Sequence, residues 1–285
     1  MLKIIECPRD AMQGLKDFIP TDLKAAYINH LLQVGFDTID FGSFVSPKAI
    51  PQMRDTADVL AKLNLSQTKS KLLAIVANLR GAMQALEFEE ISYLGFPLSI
   101  SETFQQRNTN KSVAEALETV SEIQNLCLQK GKTLVTYISM GFGNPYGDEY
   151  SEASVLAFTQ KLVDMNIQII SLADTIGVSN PNNIDFLFRT LIPQFPQVEF
   201  GAHLHSTPQT VDEKIKAAYE AGCQRFDGAL LGFGGCPMAK DDLTGNMPTE
   251  NIFYFFKEQN LDISMEEEAF RKAFEEAGKV FSGRH

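Results

Sequence analysis

Short apolar, β-branched runs alternate with helical patterns along the whole chain, and this alternation limits its possible folds more than any other feature. Strands that alternate with helices predict a parallel sheet, because each helix returns the chain across a face of the sheet. The predicted strands are 3–8, 38–42, 72–78, 91–96, 134–140, 168–174, 198–205 and 225–231. The predicted helices include 21–34, 111–130, 151–165, 180–192 and 207–221, with Thr21, Ser151, Thr207 and Thr249 as helix-start residues.

Eight strands over about 230 residues favour a closed (β/α)8 TIM barrel over a doubly wound sheet. A doubly wound dinucleotide fold would carry a Gly-rich fingerprint after its first strand, and this chain has none there. We expect a single catalytic barrel domain over 1–285, because barrels of this length are common as one domain. Its acidic, helical C-terminal extension, about 260–285, is expected to pack on the outside of the barrel. The third and fourth strands are close in sequence, so their connecting helix should have only a few turns.

Composition and charge exclude several classes of protein. The formal net charge is −11, which argues against a nucleic-acid partner, since such a partner requires a basic surface. No apolar run approaches the roughly 20 residues needed to cross a bilayer, so no membrane association is expected. The first predicted strand begins at Lys3, so no signal or transit peptide is expected. The four cysteines have no zinc-like spacing and suit a reducing cytoplasm.

Two of the four histidines, His203 and His205, occupy alternate positions in "GAHLHST". On a strand, residues i and i+2 point to the same face, so both imidazoles would face one direction. The pair alone is compatible with a polar strand end in water or with a metal site, because neutral imidazole is a common metal ligand.

The barrel prediction favours the metal site. Active sites of this fold lie at the carboxyl ends of the strands and in the loops that follow them. Polar candidates occur at those places after several predicted strands: Asp10, Asp40, Ser43, Asn78, Asp174, His203, His205, Cys236 and Asn246. This convergence predicts a metal-dependent active site at the mouth of the barrel.

Five sequence blocks resemble the hydroxymethylglutaryl-CoA lyases, a family of metal-dependent lyase/aldolase barrels related to the isopropylmalate and homocitrate synthases. The blocks are "ECPRDAMQ" (6–13), "FGSFVSPKAIPQM" (41–53), "SLADTIGV" (171–178), "GAHLHST" (201–207) and "GFGGCPMA…TGN" (232–246). The resemblance extends from Lys3 to about Phe256. The second and fifth blocks are more specific for the lyases than for the synthases.

The resemblance implies a divalent cation, Mg²⁺ or Mn²⁺, and assigns expected roles to individual residues. The implied metal ligands are Asp10, His203, His205 and Asn246. The implied catalytic residues are Arg9, Asp10, His203 and Cys236, with Arg9 neutralising an enolate oxygen and Cys236 transferring a proton. The implied substrate-binding residues are Arg9, Gln13, Asp40, Ser43, Lys48, Ser171 and Asp174, where Lys48 is either a partner of CoA phosphates or a solvated lysine.

The implied activity is cleavage of 3-hydroxy-3-methylglutaryl-CoA to acetoacetate and acetyl-CoA by a carbon–carbon lyase. Such an enzyme would act on an acyl-CoA in leucine degradation or ketone-body metabolism, and a cytoplasmic homodimer is expected. An inactive barrel that only binds a metal or ligand is the non-enzymatic alternative, which the complete set of implied metal ligands disfavours.

Four positions depart from the pattern of the lyases. Ala11 replaces a Gly, Asp40 replaces a Glu, Val135 replaces an Arg, and Ser206 replaces an Asp. None of these departures removes an implied metal ligand, so they bear on substrate fit more than on reaction type. A related lyase or aldolase acting on another 3-hydroxyacyl-CoA or on a hydroxy-keto acid is therefore the alternative function.

Overall fold

A closed barrel of eight parallel strands forms the centre of the computed structural model, which describes residues 2–235 and 244–282. The barrel strands are β1 (Lys3–Glu6), β2 (Thr38–Ser43), β3 (Lys71–Ile75), β4 (Ile91–Ser99), β5 (Thr133–Ser139), β6 (Ile169–Ala173), β7 (Glu199–His203) and β9 (Arg225–Gly228). Each strand pairs with its neighbour in sequence order, and β9 closes the ring against β1. The predicted TIM-barrel fold is confirmed.

Helices surround the barrel and cover the outer faces of its strands. They are α1 (Pro8–Gln13), α2 (Thr21–Leu31), α3 (Thr56–Leu60), α4 (Leu79–Ala85), α5 (Glu102–Thr109), α6 (Val113–Gln129), α7 (Glu152–Asp164), α8 (Pro181–Gln194), α9 (Val211–Glu220), α10 (Thr249–Glu258) and α11 (Glu267–Phe281). Two short strands, β8 (His205–Ser206) and β10 (Gly245–Asn246), pair antiparallel outside the barrel sheet. Among the described residues, no helix is long and apolar enough to cross a membrane.

The structure corrects several predicted boundaries. The predicted strand 3–8 ends at Glu6, because Pro8 occupies the first turn of α1, a position that suits proline. The predicted strand 198–205 ends at His203, and His205 begins β8 instead. The connection between β3 and β4 contains only the seven-residue α4, in agreement with the predicted short helix.

Only one of the predicted helix starts is a side-chain cap. The Ser151 hydroxyl accepts a hydrogen bond from the Ser154 N–H and forms a capping box. Thr21 is the first residue of α2 and donates its hydroxyl to Asp55 instead. Thr207 precedes a turn, so α9 begins later, at Val211. Thr249 begins α10 and donates its hydroxyl to a carboxylate of β1.

Two apolar layers position the site. The larger layer fills the space between the strands and the helices, as the outward-facing residues of each strand require. A smaller cluster lies inside the barrel and consists of Leu73, Ile75, Tyr93, Val135, Tyr137 and Ile169. The inner cluster reaches the site, because Tyr137 packs edge-on against His203 at 5.4 Å between ring centroids.

The C-terminal helix is present as predicted and packs on the outside of the barrel. Helix α11 lies against α2, and the ring of Phe281 packs edge-on against Tyr27 with a centroid separation of 6.0 Å. Phe281 also stacks on Phe233, in the segment after β9, at 4.6 Å. The last described helix thus contacts the segment that leads towards the mouth of the barrel.

Candidate active site

Three potential metal-ligating side chains meet at the carboxyl end of the barrel. Asp10 lies on α1, directly after β1, while His203 ends β7 and His205 begins β8. One carboxylate oxygen and one nitrogen of each imidazole lie within 4.8 Å of one another. The imidazole rings of His203 and His205 are 5.8 Å apart between centroids, so the two rings face the same region, as their alternate spacing predicts.

Asn246 is brought to the same place by strand pairing. In the antiparallel pair of β8 and β10, Asn246 lies directly opposite His205. Its Nδ2 donates to Asp10 Oδ2 at 2.9 Å and to the Phe233 carbonyl at 2.9 Å. The amide nitrogen therefore faces Asp10 here, and a ligand role would require the amide to turn its oxygen to that side.

Asp10 is an anion in this setting. Its Oδ1 accepts hydrogen bonds from Arg9 Nη1 and Gln13 Nε2, each at 2.8 Å. Burial alone would raise the pKa of Asp10, but the charges of Arg9, His203 and His205 and the hydrogen bond from Asn246 lower it to about 2. The carboxylate is therefore fully ionised near neutral pH, which is the form that a cation binds.

His203 is held from behind by a second carboxylate. Its Nδ1 lies 3.1 Å from Asp227 Oδ2, and its Nε2 lies 3.9 Å from Asp10 Oδ2. Burial lowers the pKa of His203, but the hydrogen bond and charge of Asp227, together with Asp10, raise it more, so that the net shift is upward. The ring therefore has one nitrogen in a carboxylate contact and the other facing the cluster.

His205 supplies the observation that tests whether a metal fits. Its Nδ1 is buried and has no hydrogen-bond partner in the described part of the chain, which is costly for a polar atom in the interior. Burial, followed by the charge of His203, lowers the pKa of His205 to about 4, so the ring is neutral near pH 7. A neutral imidazole with an unused buried nitrogen, beside an ionised carboxylate, is a suitable donor set for a divalent cation.

A second group of potential ligands shares His203 and consists of Cys7, His203 and Asp227. Burial, and then the charges of Asp227 and Asp40, raise the pKa of Cys7 well above its usual value. Metals bind the thiolate rather than the thiol. The group that contains Asp10 is therefore the better cation site.

Arg9 connects Asp10 to Asp40. Its Nη2 and Nε lie 2.5 and 3.0 Å from Asp40 Oδ2, and its Nη1 contacts Asp10. Burial lowers the pKa of Arg9, but the two carboxylates raise it further, so the guanidinium stays charged. The described contacts use three of the five N–H donors of an arginine, which leaves two for a substrate oxygen.

The remaining predicted substrate-binding residues occupy different environments. Ser43, at the end of β2, lines a cavity of about 530 Å³ that continues between α3 and α4. Ser171 is fully buried on β6, and its hydroxyl has no partner among the described residues. Lys48 is exposed in the loop after β2. These three side chains are not part of the cluster around Asp10.

Asp174 also lies apart from that cluster, in a buried structural network. Its carboxylate accepts hydrogen bonds from the backbone of Val178 and from both the backbone and hydroxyl of Ser179. Lys214 Nζ adds a contact at 2.9 Å, and the same ammonium donates to the His205 carbonyl at 2.7 Å. These contacts fix the loop after β6 and the start of β8.

The departures from the family pattern are accommodated in the interior. Val135 is fully buried and belongs to the apolar cluster inside the barrel. Ser206 is buried in β8, and its hydroxyl lacks a partner within the described ranges. Ala11 is buried in α1. Cys236 lies outside the described residues.

Sequence reasoning missed Asp227 and Lys214. The predicted strand 225–231 places Arg225 and Asp227 on one face, and two charges on one face of a buried strand are a signal that could have identified Asp227. Lys214 occupies a predicted amphipathic helix, where a lysine normally faces water. Its pairing with Asp174, 40 residues away, leaves no local pattern in the sequence.

Comparison with known proteins identifies the relatives of this chain. The family model described as HMGL-like matches residues 2–275. Hydroxymethylglutaryl-CoA lyase YngG of Bacillus subtilis is 32% identical over 98% of this chain and 93% of its own length. The mitochondrial hydroxymethylglutaryl-CoA lyase of Gallus gallus is 32% identical over 89% of this chain and 84% of its own.

A solved structure agrees with the sequence relatives. An HMG-CoA lyase from Acinetobacter baumannii, determined in complex with coenzyme A and 3-methylmalate, superposes with a TM-score of 0.89 at 30% identity. The match covers 98% of this chain and 91% of that one.

Proposed function

The chain belongs to the HMGL-like family, and we propose on that premise that it is a carbon–carbon lyase that cleaves 3-hydroxy-3-methylglutaryl-CoA to acetoacetate and acetyl-CoA. The observation that carries this proposal is the convergence of Asp10, His203 and His205 beside Arg9. The coenzyme A bound by the Acinetobacter baumannii relative supports an acyl-CoA substrate.

Asp10, His203 and His205 would hold a divalent cation, and Asn246 would join them if its amide turned. Carboxylate and amide oxygens suit Mg²⁺, and the two imidazoles favour Mn²⁺. A bound cation supplies Lewis-acid polarisation and orientation of the substrate's oxygens. The neutral His205 and the ionised Asp10 provide the protonation states that such binding needs.

The reaction requires removal of one proton and delivery of another. The proton leaves the C3 hydroxyl, the C2–C3 bond breaks, and its electron pair forms the enolate of the acetyl thioester. Protonation of that enolate carbon gives acetyl-CoA, and the other fragment is acetoacetate. Arg9 would stabilise the enolate oxygen with its two remaining N–H donors, while Asp40 and Asp10 fix the guanidinium plane.

Cys236 is proposed as the residue that delivers the proton to the enolate carbon. The support is its place in the "GFGGCP" block, which resembles the loop of the catalytic cysteine of the lyases. Gln13, Ser43, Lys48, Ser171 and Asp174 remain proposed substrate-binding residues on the same ground.

Acetoacetate release from 3-hydroxy-3-methylglutaryl-CoA tests the proposal. The purified protein is assayed with Mg²⁺, with Mn²⁺ or with EDTA, alongside a His205→Ala variant and a His30→Gln control from α2. We expect metal-dependent turnover that is lost in His205→Ala and kept in His30→Gln. Turnover that persists equally in EDTA and in His205→Ala would contradict the proposed site.

The departures from the pattern of the lyases bear most on which substrate the protein accepts. Val135 is an apolar residue inside the barrel where the lyases carry an arginine, which favours testing other acyl groups. If Mn²⁺ binds but no acetoacetate forms, a panel of other 3-hydroxyacyl-CoA thioesters and hydroxy-keto acids should reveal the substrate.

The single-domain organisation, the homodimer and the cytoplasmic location remain proposals. The relatives include proteins named cytoplasmic and mitochondrial, so the location needs direct measurement. Sedimentation of the purified protein measures the oligomeric state.

A further inference from the structure

Asp227 lies behind His203, inside the barrel, and has no role in the proposed reaction. Its side chain is fully buried on β9, and its Oδ2 lies 3.1 Å from His203 Nδ1. An ionisable carboxylate at such a depth is unusual unless it is paired. The imidazole of His203 is its nearest described partner.

Strand register fixes this contact. Strands β7 and β9 pair in parallel, with Gly201 opposite Arg225 and Ala202 opposite Phe226. Continuation of that register brings His203 level with Asp227, and the two side chains point into the barrel. Both residues are therefore held by the sheet rather than by a loop, which limits how far either side chain can shift.

Arg225 supports Asp227 from the opposite end of the barrel. Its Nε lies 4.0 Å from Asp227 Oδ1, and its Nη1 lies 3.1 Å from Glu199 Oε1. Arg225 is fully buried, so its charge is poorly screened and attracts the Asp227 carboxylate. An ionised carboxylate accepts hydrogen bonds and cannot donate one.

This arrangement selects one tautomer of the neutral imidazole. Because Asp227 can only accept, the shared proton belongs to His203 Nδ1. The lone pair is then on Nε2, the nitrogen that faces Asp10 Oδ2 at 3.9 Å and belongs to the cluster with His205. A metal ligand needs that lone pair, and carboxylate partners of ligating histidines commonly fix it in this way.

We propose that Asp227 is a positioning residue that holds His203 in the Nδ1–H tautomer, so that Nε2 faces the cation. This inference rests on the proposed cation site. Asp227 is not among the proposed cation ligands, and it acts through its contact with His203.

The tautomer can be measured directly in the metal-free protein. Histidine is labelled with ¹⁵N, and long-range ¹H–¹⁵N spectra are recorded at alkaline pH, where the imidazoles are neutral. Protonated and unprotonated ring nitrogens have well-separated ¹⁵N shifts, and a His203→Gln variant assigns the signal among four histidines. We expect a proton on Nδ1 and none on Nε2. The opposite tautomer in the wild-type protein would overturn the proposal without any Asp227 variant.

An Asp227→Asn variant tests the consequence for metal binding. Its amide can donate to Nδ1, so we expect the proton to move to Nε2 and the dissociation constant for Mn²⁺ to rise by about 10- to 100-fold. Asp55→Asn is the matched control, because Asp55 is a buried carboxylate that pairs with Lys24 outside the barrel. Unchanged Mn²⁺ affinity in a folded Asp227→Asn protein would also overturn the proposal.

These readouts are separate from the lyase assay. Absence of acetoacetate formation by the wild-type protein would count against the proposed substrate, while the tautomer and the Mn²⁺ affinity would still decide the role of Asp227.

Discussion

Arg9 illustrates how a single residue combines structural and proposed catalytic roles. Its guanidinium bridges Asp40 and Asp10, and both contacts are almost fully buried. The two carboxylates hold the plane of the guanidinium in one orientation, so the arginine needs little reorganisation when negative charge develops on a nearby substrate oxygen. Loss of Arg9 should therefore slow the chemical step more than it weakens binding of the metal ion.

Replacement of Arg9 by Gln tests whether the residue acts on the chemical step rather than on metal binding. We expect kcat for acetoacetate formation to fall by about 10²- to 10³-fold, the cost of losing one donor to a developing oxyanion. The Mn²⁺ affinity should change much less, because Asp10 keeps its contacts with Gln13 and Asn246. Steady-state kinetics and Mn²⁺ titration measure the two effects, and a loss of Mn²⁺ binding as large as that in His205→Ala would refute a mainly catalytic role.

The burial of Glu6 predicts that the free energy of unfolding depends on pH. Burial raises its pKa to about 8, although hydrogen bonds from Thr249 and from the Leu230 N–H oppose the shift. An acid whose pKa is higher in the folded state contributes stability below its unfolded pKa, and that contribution is lost as the pH rises through the folded value. The free energy of unfolding should therefore decline between about pH 4.5 and 8 through this group.

A Glu6→Gln variant should remove this decline. Glutamine keeps the acceptor oxygen for Leu230 but does not ionise, so its stability relative to the wild type should rise with pH. Urea unfolding at several pH values measures the difference. A difference in the free energy of unfolding that stays constant with pH would show that Glu6 does not titrate in this interval.

At the scale of elements, α9 holds two loops at the mouth of the barrel. Lys214 reaches from the helix to Asp174 after β6 and to the His205 carbonyl in β8. Removal of one partner from a buried pair leaves the other charge uncompensated. The helix is therefore connected both to a proposed cation ligand and to the neighbouring loop.

The Lys214→Met variant should lose about 3–5 kcal/mol in the free energy of unfolding, because Asp174 would lose its cationic partner in the interior. Lys216→Met is the matched control on the same helix, since Lys216 is mostly exposed and should contribute less than about 1 kcal/mol. Chemical denaturation measures both variants. An equal loss in the free energy of unfolding of both variants would mean that the buried pair of Lys214 and Asp174 stabilises the fold no more than an exposed lysine does.

The sequence predicted the secondary-structure elements and the grouping of Asp10 with the two histidines better than it predicted the residues that support them. The strand alternation and the spacing of His203 and His205 are local patterns, so the barrel and the side-by-side imidazoles could be predicted. Asp10 and Asn246 were candidates because they follow predicted strands, and the resemblance then implied their roles as ligands. Lys214 and Asp227 act through partners distant in sequence, and neither contact follows from periodicity. The short helix α1 was missed because its six residues are too few to show a helical period.

At the scale of the whole molecule, α11 links the C-terminal part of the chain to the barrel. Phe281 is almost fully buried between Tyr27 and Phe233. Its ring contacts both α2 and the segment that follows β9, so it connects two regions that are far apart in sequence.

Phe281→Ala should lower the free energy of unfolding by about 3–5 kcal/mol, the usual cost of removing a buried aromatic ring. Phe186→Ala is the matched control, because half of that side chain is exposed on α8, and its effect should stay within about 0.5 kcal/mol. Guanidinium unfolding measures both. A small loss in Phe281→Ala would indicate that α11 adds little to the stability of the barrel.

The hydrogen bond between Asp10 and Asn246 joins residues 236 positions apart, and β1 closes the barrel against β9. During synthesis, the first strand leaves the ribosome long before its closing partner exists. A nascent chain can present Asp10 early, but it cannot assemble the full set of proposed ligands until Asn246 has emerged. Premature termination before that point would therefore yield fragments without the assembled site, so the chemistry becomes available only to chains translated past Asn246.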